Sequence, residues 1–173
     1  LEEFPQVRAL AERYPHVYAS VGVHPDYPDV PVVKEGELIA LADHPKIVAT
    51  GGTGRDYYRA KGDCERQRER FRTHIRAARE CAKPLVIHTR SASADTLAIL
   101  REEGTDGPRA AAGGVFHCFT ETAEVAHECA QRIGVGHRHV LGAPGVLQPG
   151  VLRTDAGVIQ PGRHRMRLDD LAV

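Results

Sequence analysis

The chain has 173 residues, 42% of them hydrophobic and 27% charged, which is enough for one globular domain and gives no reason to expect wholesale disorder. Lysine plus arginine and aspartate plus glutamate are both 23, so the zero net charge excludes a global basic field that would recruit nucleic acid. Ten histidines are many for this length and favour metal chemistry. We expect a single domain over residues 1–173.

The four cysteines form no C-x-x-C pair, and no signal peptide or long apolar span is recognisable. We therefore expect reduced thiols in the core. The same features predict a cytoplasmic protein with no membrane partner.

Helix and strand patterns alternate along the chain. The first residues, LEEFPQVRALAERYP, carry apolar side chains at helical spacing. The predicted strands are then 17–25, 46–51, 84–90 and 113–119, and the predicted helices are 36–45, 64–83, 93–104 and 122–134. This alternation predicts an α/β fold with a parallel sheet, although periodicity alone does not distinguish a closed barrel from an open sheet.

Residues with metal-binding chemistry recur where the predicted strands end. They are His24, His88 and His117, and Asp155 would follow a later strand. The carboxyl ends of parallel barrel strands open onto one face, so these side chains would converge as a metal site requires. A lone histidine at a strand end is more often a hydrogen-bonded core residue, but recurrence at successive strand ends favours a metal site.

Four segments, in order, resemble the signature blocks of the TatD family of metal-dependent hydrolases and deoxyribonucleases. They are GVHP (22–25), VATGGTGRDYYR (48–59), KPLVIHTRSASADTLAILREE (83–103) and GGVFHCFTETAEVA (113–126). The resemblance implies an incomplete TIM-type (β/α)8 barrel that binds zinc, manganese or magnesium. It also implies hydrolysis of phosphodiester bonds in DNA or in a small phosphodiester.

The resemblance assigns roles to five residues. It implies that His88 and His117 are metal ligands and that Asp155, in TDA, is both a metal ligand and a catalytic residue. His24 would be catalytic, close to the substrate, and Arg90 would bind a phosphate oxygen of the substrate. Two imidazoles with one carboxylate suit a transition metal better than magnesium.

The stretch VATGGTGRDYY departs from the family pattern, which implies a metal-bridging glutamate where this chain has Gly52. A P-loop is excluded because G-x-x-x-x-G-K-[ST] is absent. We interpret the glycines as backbone turns of a loop after the strand 46–51, with an anion-binding nest or an unrelated turn as alternatives.

Other departures lie at both ends of the family pattern. The H-x-H strand with which the family begins is not found before residue 17, and we interpret the HRH at 137–139 as coincidence. Asp26 follows GVHP where members often carry a histidine. Residues 134–173 match poorly, and the sequence leaves their order open. A barrel that lacks strands exposes sheet edges, so we expect self-association or another cover.

Three functions stay open at this point. The first is a TatD-type hydrolase, with full or reduced activity. The second is a catalytically silent relative that retains a partial barrel as a binding or structural protein, which Gly52 and the missing H-x-H favour. The third is another barrel hydrolase that acts on amides or lactones, because fold does not fix chemistry.

Overall fold

The computed structural model describes residues 1–60, 64–104, 113–132 and 138–142. Its elements in chain order are α1 (Phe4–Arg13), β1 (Ala19–Val21), α2 (Glu35–Ala42), β2 (Ile47–Asp56), α3 (Glu65–Glu80), β3 (Leu85–Arg90), α4 (Ser93–Glu102), β4 (Gly114–Phe119), α5 (Ala123–Arg132) and β5 (Arg138–Gly142). The predicted alternation of helices and strands is confirmed. In the part of the chain described, no helix combines the length and the apolar character needed to cross a bilayer.

The sheet has five strands in the order β1-β2-β3-β4-β5, and every neighbouring pair is parallel. Each strand pairs with the next one along the chain, as in a TIM-type barrel; in doubly wound folds the order reverses at a switch point. The α/β prediction is confirmed, with a sheet that corresponds to part of such a barrel. His139 lies in β5, whereas His137 and Asp155 lie outside the described residues.

Strand β1 is shorter than the predicted strand 17–25, because its pairing with β2 covers only Ala19–Val21. Val23 is already outside the ladder, and its backbone N–H donates instead to Nε2 of His74 in α3 (3.1 Å). His24 therefore follows β1 at a distance of three residues and is held by contacts with α3.

Strand β2 is longer than predicted and runs through the glycines as far as Asp56, so the interpretation of these glycines as a loop after residue 51 is wrong. Gly51 and Gly54 have φ angles of +124° and +130°, which favour glycine. A Cβ atom would come within 2.2 Å of the Val86 carbonyl oxygen at Gly51 and within 2.1 Å of the His88 carbonyl oxygen at Gly54. These glycines allow the backbone of β2 to approach β3.

The core lies between the sheet and the helices in two clusters. Side chains from α3, α4 and α5 cover β3 and β4, and those fully buried there include Phe71, Ile75, Leu85, Ile87, Leu100 and Phe116. Side chains from α1 and α2 cover β1 and β2, with Phe4, Ala11, Val21, Leu38 and Ile47 buried. Burial of these apolar surfaces fixes the helices on one face of the sheet.

Two lysines join loops at the amino end of the sheet. Each ammonium group donates hydrogen bonds to three backbone carbonyls: Lys46 to those of Tyr14, Pro15 and Val17, and Lys83 to those of Ala42, His44 and Ile47. They satisfy carbonyl oxygens before β1, before β2 and at the first residue of β2.

His74 is a fully buried histidine that sequence analysis did not identify as important. Its Nε2 accepts from the Val23 N–H, and its Nδ1 lies 2.8 Å from the carbonyl oxygen of Arg70, to which it donates when the ring is neutral. Burial lowers the pKa of His74 from 6.5 to about 4. Between pH 4 and 6.5, His74 is therefore neutral in the folded protein, whereas in an unfolded chain it binds a proton.

We predict that the free energy of unfolding decreases as the pH drops from 6.5 to 4, because His74 binds a proton in the unfolded chain but stays neutral in the folded protein. The loss from this residue alone is about 3 kcal/mol, and the contribution is fully retained above pH 6.5. Urea unfolding of the wild type and of His74→Gln at several pH values measures this dependence of the free energy of unfolding on pH.

His74→Gln should be less stable by about 1–2 kcal/mol at pH 8 but should show a shallower decline on acidification. The matched control is His16→Gln, because His16 is exposed, and this variant should follow the wild type. Equal acid dependence in His74→Gln and wild type would contradict the assignment.

Candidate metal centre at the carboxyl end of the sheet

Three histidines converge where β1, β3 and β4 end. His88 and His117 are direct partners in the register between β3 and β4, and His24 follows β1. One ring nitrogen from each histidine lies within 4.8 Å of the others. The ring centroids are 4.5 Å apart for His24 and His88, 5.4 Å for His88 and His117, and 6.4 Å for His24 and His117. The structure thus brings together the three histidines that the sequence places at strand ends.

The cluster is partly removed from water, and this affects its protonation. His88 is 8% exposed, and His24 and His117 are half-buried. Burial lowers the pKa of His24 and that of His117, the latter to about 4, and the neighbouring imidazoles oppose protonation further. His24 and His117 are therefore neutral at pH 7, and each ring then carries one N–H group and one nitrogen lone pair.

The hydrogen bond to His24 determines which of its nitrogens carries a proton. The backbone N–H of Asp26 donates to Nδ1 of His24 (3.2 Å), so in the neutral ring the proton lies on Nε2. The His24 carbonyl accepts from Nη1 of Arg70 (3.1 Å), which fixes the backbone behind the ring. His24 thus presents an N–H donor to the site.

Asp56 is a site residue that sequence analysis missed. It is 1% exposed, and its Oδ2 lies 3.0 Å from Nε2 of His88. Burial opposes ionisation of this carboxyl, but hydrogen bonds from the Arg59 N–H and from His88 outweigh it and hold the pKa of Asp56 below its usual range. Alternation along β2 places Asp56 on the same face as Gly54, which pairs with His88, a signal that is visible only if the strand includes the glycines.

Gly52 faces the cluster without contributing a side chain. A Cβ atom at this position would lie 3.4 Å from Nε2 of His117 and 3.6 Å from Cδ2 of His24. A side chain at this position would therefore begin in contact with two imidazoles of the cluster. Within the described residues, the group with metal-binding spacing consists of histidines alone.

Arg90 lies two residues beyond His88 on β3, at the same end of the sheet. Its guanidinium carbon is 3.8 Å from the ring centroid of Tyr58, which is 68% exposed. A guanidinium over an aromatic face is stabilised by the ring quadrupole, and its orientation is restricted. The structure thus places a positive charge at the carboxyl end of the sheet.

The donor set fits a divalent transition metal. Neutral imidazole is a preferred ligand of zinc, and a zinc site takes three or four ligands at close quarters. Nδ1 of His88 is a buried polar atom that has no hydrogen-bond partner among the described residues, as expected of a nitrogen that faces a ligand site. Magnesium prefers an oxygen-rich set, which the cluster as described does not provide.

Sequence comparison finds similar proteins. A profile of the family described as TatD related DNase matches residues 1–148. Uncharacterized metal-dependent hydrolase YcfH of Escherichia coli (strain K12) is 44% identical over 126 residues, which are 73% of this chain and 46% of that protein. The 3'-5' ssDNA/RNA exonuclease TatD of Citrobacter koseri is 36% identical over 133 residues, 76% of this chain and 50% of that protein.

Solved structures agree with the fold. YJJV, a TatD homolog from Escherichia coli K12, is 27% identical with a TM-score of 0.64, covering 77% of this chain and 51% of that one. A hydrolase TatD family protein from Entamoeba histolytica is 25% identical with a TM-score of 0.61, and the match covers 78% of this chain and 47% of that one. The chain spans about half the length of the curated relatives it matches. On the family match, the shared sequence and the shared fold, the chain belongs to the TatD family.

Proposed function

We propose that the histidine cluster holds a divalent metal ion, with zinc preferred, and that the protein hydrolyses phosphodiester bonds in nucleic acid. The observation that carries the proposal is the convergence of three histidines whose ring nitrogens lie within 4.8 Å of one another, two of them assigned to the ion and His24 to proton donation beside it. The names of the relatives support it, since YcfH is called a metal-dependent hydrolase and the Citrobacter koseri protein an ssDNA/RNA exonuclease.

The hydrogen bonds support two different roles within the cluster. His88, through its available Nδ1, and His117 would hold the ion, and Asp155 would add a carboxylate. His24 keeps a proton on Nε2 and would donate it to a phosphoryl oxygen or to the leaving oxygen. A bound divalent ion would supply Lewis acidity and activate water at neutral pH.

Metal analysis of point variants tests this division. We predict about one equivalent of zinc per wild-type chain, and loss of that zinc in His88→Ala and in His117→Ala. His24→Ala should retain the metal but lose most of its hydrolysis of a single-stranded oligonucleotide, because only the proton donor is removed. Elemental analysis and an oligonucleotide cleavage assay measure the two properties.

The control for these variants is His127→Ala, because His127 is exposed on α5, away from the cluster. It should bind zinc and cleave as the wild type does. A wild-type chain without zinc would overturn the metal site. A zinc-bound chain that cleaves an amide or lactone but no phosphodiester would move the proposal to that substrate class.

A second candidate function is metal binding without turnover, and Gly52 favours it. The position faces His117 and His24 but carries no carboxylate. We predict that Gly52→Glu raises zinc affinity by about tenfold or more, because a charged ligand is added next to two imidazoles of the cluster. Gly52→Gln has the same size without the charge and is the matched control.

Chelator competition measures the affinity of both variants. If Gly52→Glu also increases cleavage, the wild-type chain is limited by the missing carboxylate, and the second candidate gains support. Equal zinc affinity in Gly52→Glu and Gly52→Gln would show that position 52 does not reach the ion.

Arg90 is proposed to bind a phosphate of the substrate. We predict that Arg90→Gln raises KM for a single-stranded oligonucleotide more than it lowers kcat, because the guanidinium holds the strand before and during reaction. The slope of log affinity against log salt should fall by about 0.7 for each phosphate that the variant no longer binds.

Arg101→Gln removes an equal charge from an exposed pair with Glu128 on the helices and is the control. An Arg90 variant with unchanged KM and salt dependence would contradict the role.

A further inference from the structure

Asp56 has both carboxylate oxygens engaged next to the histidine cluster. Oδ1 accepts from the backbone N–H of Arg59 (2.9 Å), and Oδ2 lies 3.0 Å from Nε2 of His88. The residue is 1% exposed, so water does not compete effectively for these contacts. Its orientation is therefore determined by two protein partners.

The backbone of Asp56 is also held from α3. The Asp56 N–H donates to Oε1 of Gln67 (3.1 Å), and Nε2 of Gln67 donates to the Asp56 carbonyl (3.3 Å) and to that of Pro25 (3.4 Å). Gln67 thereby links the end of β2 with the segment that follows His24. The carboxylate is preorganised before any ligand arrives.

An ionised carboxylate can only accept hydrogen bonds, so the contact with His88 requires a proton on Nε2. A neutral imidazole with its proton on Nε2 has a bare Nδ1, and Nδ1 of His88 is the buried atom with no hydrogen-bond partner among the described residues. We propose that Asp56 is a positioning residue that fixes His88 in the Nε2–H tautomer and so presents Nδ1 to a metal ion. The second part of this inference rests on the proposed metal site; the tautomer does not.

Asparagine at position 56 separates this role from a merely structural one. If its amide oxygen stays on the Arg59 N–H, its NH2 group faces Nε2 of His88, and that nitrogen must then accept. The proton moves to Nδ1, the atom assigned to the metal. The reverse orientation would set the NH2 group against the Arg59 N–H, two donors facing each other, which is unfavourable.

The test is nitrogen NMR of histidine-labelled, metal-free protein at pH 8, followed by zinc competition against a chromophoric chelator. We expect Nε2–H at His88 in the wild type, a shift toward Nδ1–H in Asp56→Asn, and zinc affinity about 10–100-fold lower in that variant. Asp26→Asn removes an equal charge at the same rim, where Asp26 pairs with Arg59, without touching His88. It should leave the His88 tautomer unchanged.

A wild-type His88 protonated on Nδ1 would overturn the proposal outright, even if Asp56→Asn fails to fold. A variant that keeps Nε2–H and wild-type zinc affinity would also overturn it. If the wild type shows Nε2–H, the variant shows Nδ1–H, and neither binds zinc, the metal site fails while the tautomer assignment of Asp56 stands.

Discussion

The direct pairing of His88 with His117 in the ladder between β3 and β4 is the constraint on which the rest of the site depends. Neighbouring strands lie about 4.8 Å apart, so paired residues on one face hold their side chains at ligand-sharing distance. Gly54 pairs with His88 on the other side, so the same row continues into β2. The separation of the two imidazoles is thus determined by backbone hydrogen bonds, which vary far less than side-chain rotamers.

Buried and half-buried polar groups behind the site keep this row in place. His74, Gln67 and Arg70 all project from α3 and hydrogen-bond the backbone around Val23, His24 and Asp56. An unsatisfied buried polar group costs about 1–3 kcal/mol, so each of these contacts penalises a displaced loop. The segment after β1 has few strand contacts of its own, and α3 supplies the order that the sheet does not. Helix α3 therefore acts on the site without contributing a ligand.

Much of the architecture could be predicted from the sequence, because strand and helix periods, proline and glycine boundaries and the ordered signature blocks all agreed. The convergence of His24, His88 and His117 followed from the parallel topology alone. The extent of β2 could not be predicted, since glycines lack the side-chain pattern of a strand, and only contact with Val86 and His88 shows why they are needed. The hydrogen-bond partner of Asp56 could not be predicted either, because a single hydrogen bond between β2 and β3 depends on the register of the two strands.

The two ends of the sheet are held by unrelated contacts. At the amino end, Lys46 and Lys83 bind backbone carbonyls, which every residue type provides, so neighbouring side chains can change without loss of these bonds. At the carboxyl end, the imidazoles and the glycine at position 52 determine what the surface can bind. Mutations at one end are thus largely uncoupled from stability at the other. Such a scaffold is evolvable: a lineage can lose a ligand, drift in specificity and regain activity by single substitutions while the chain continues to fold.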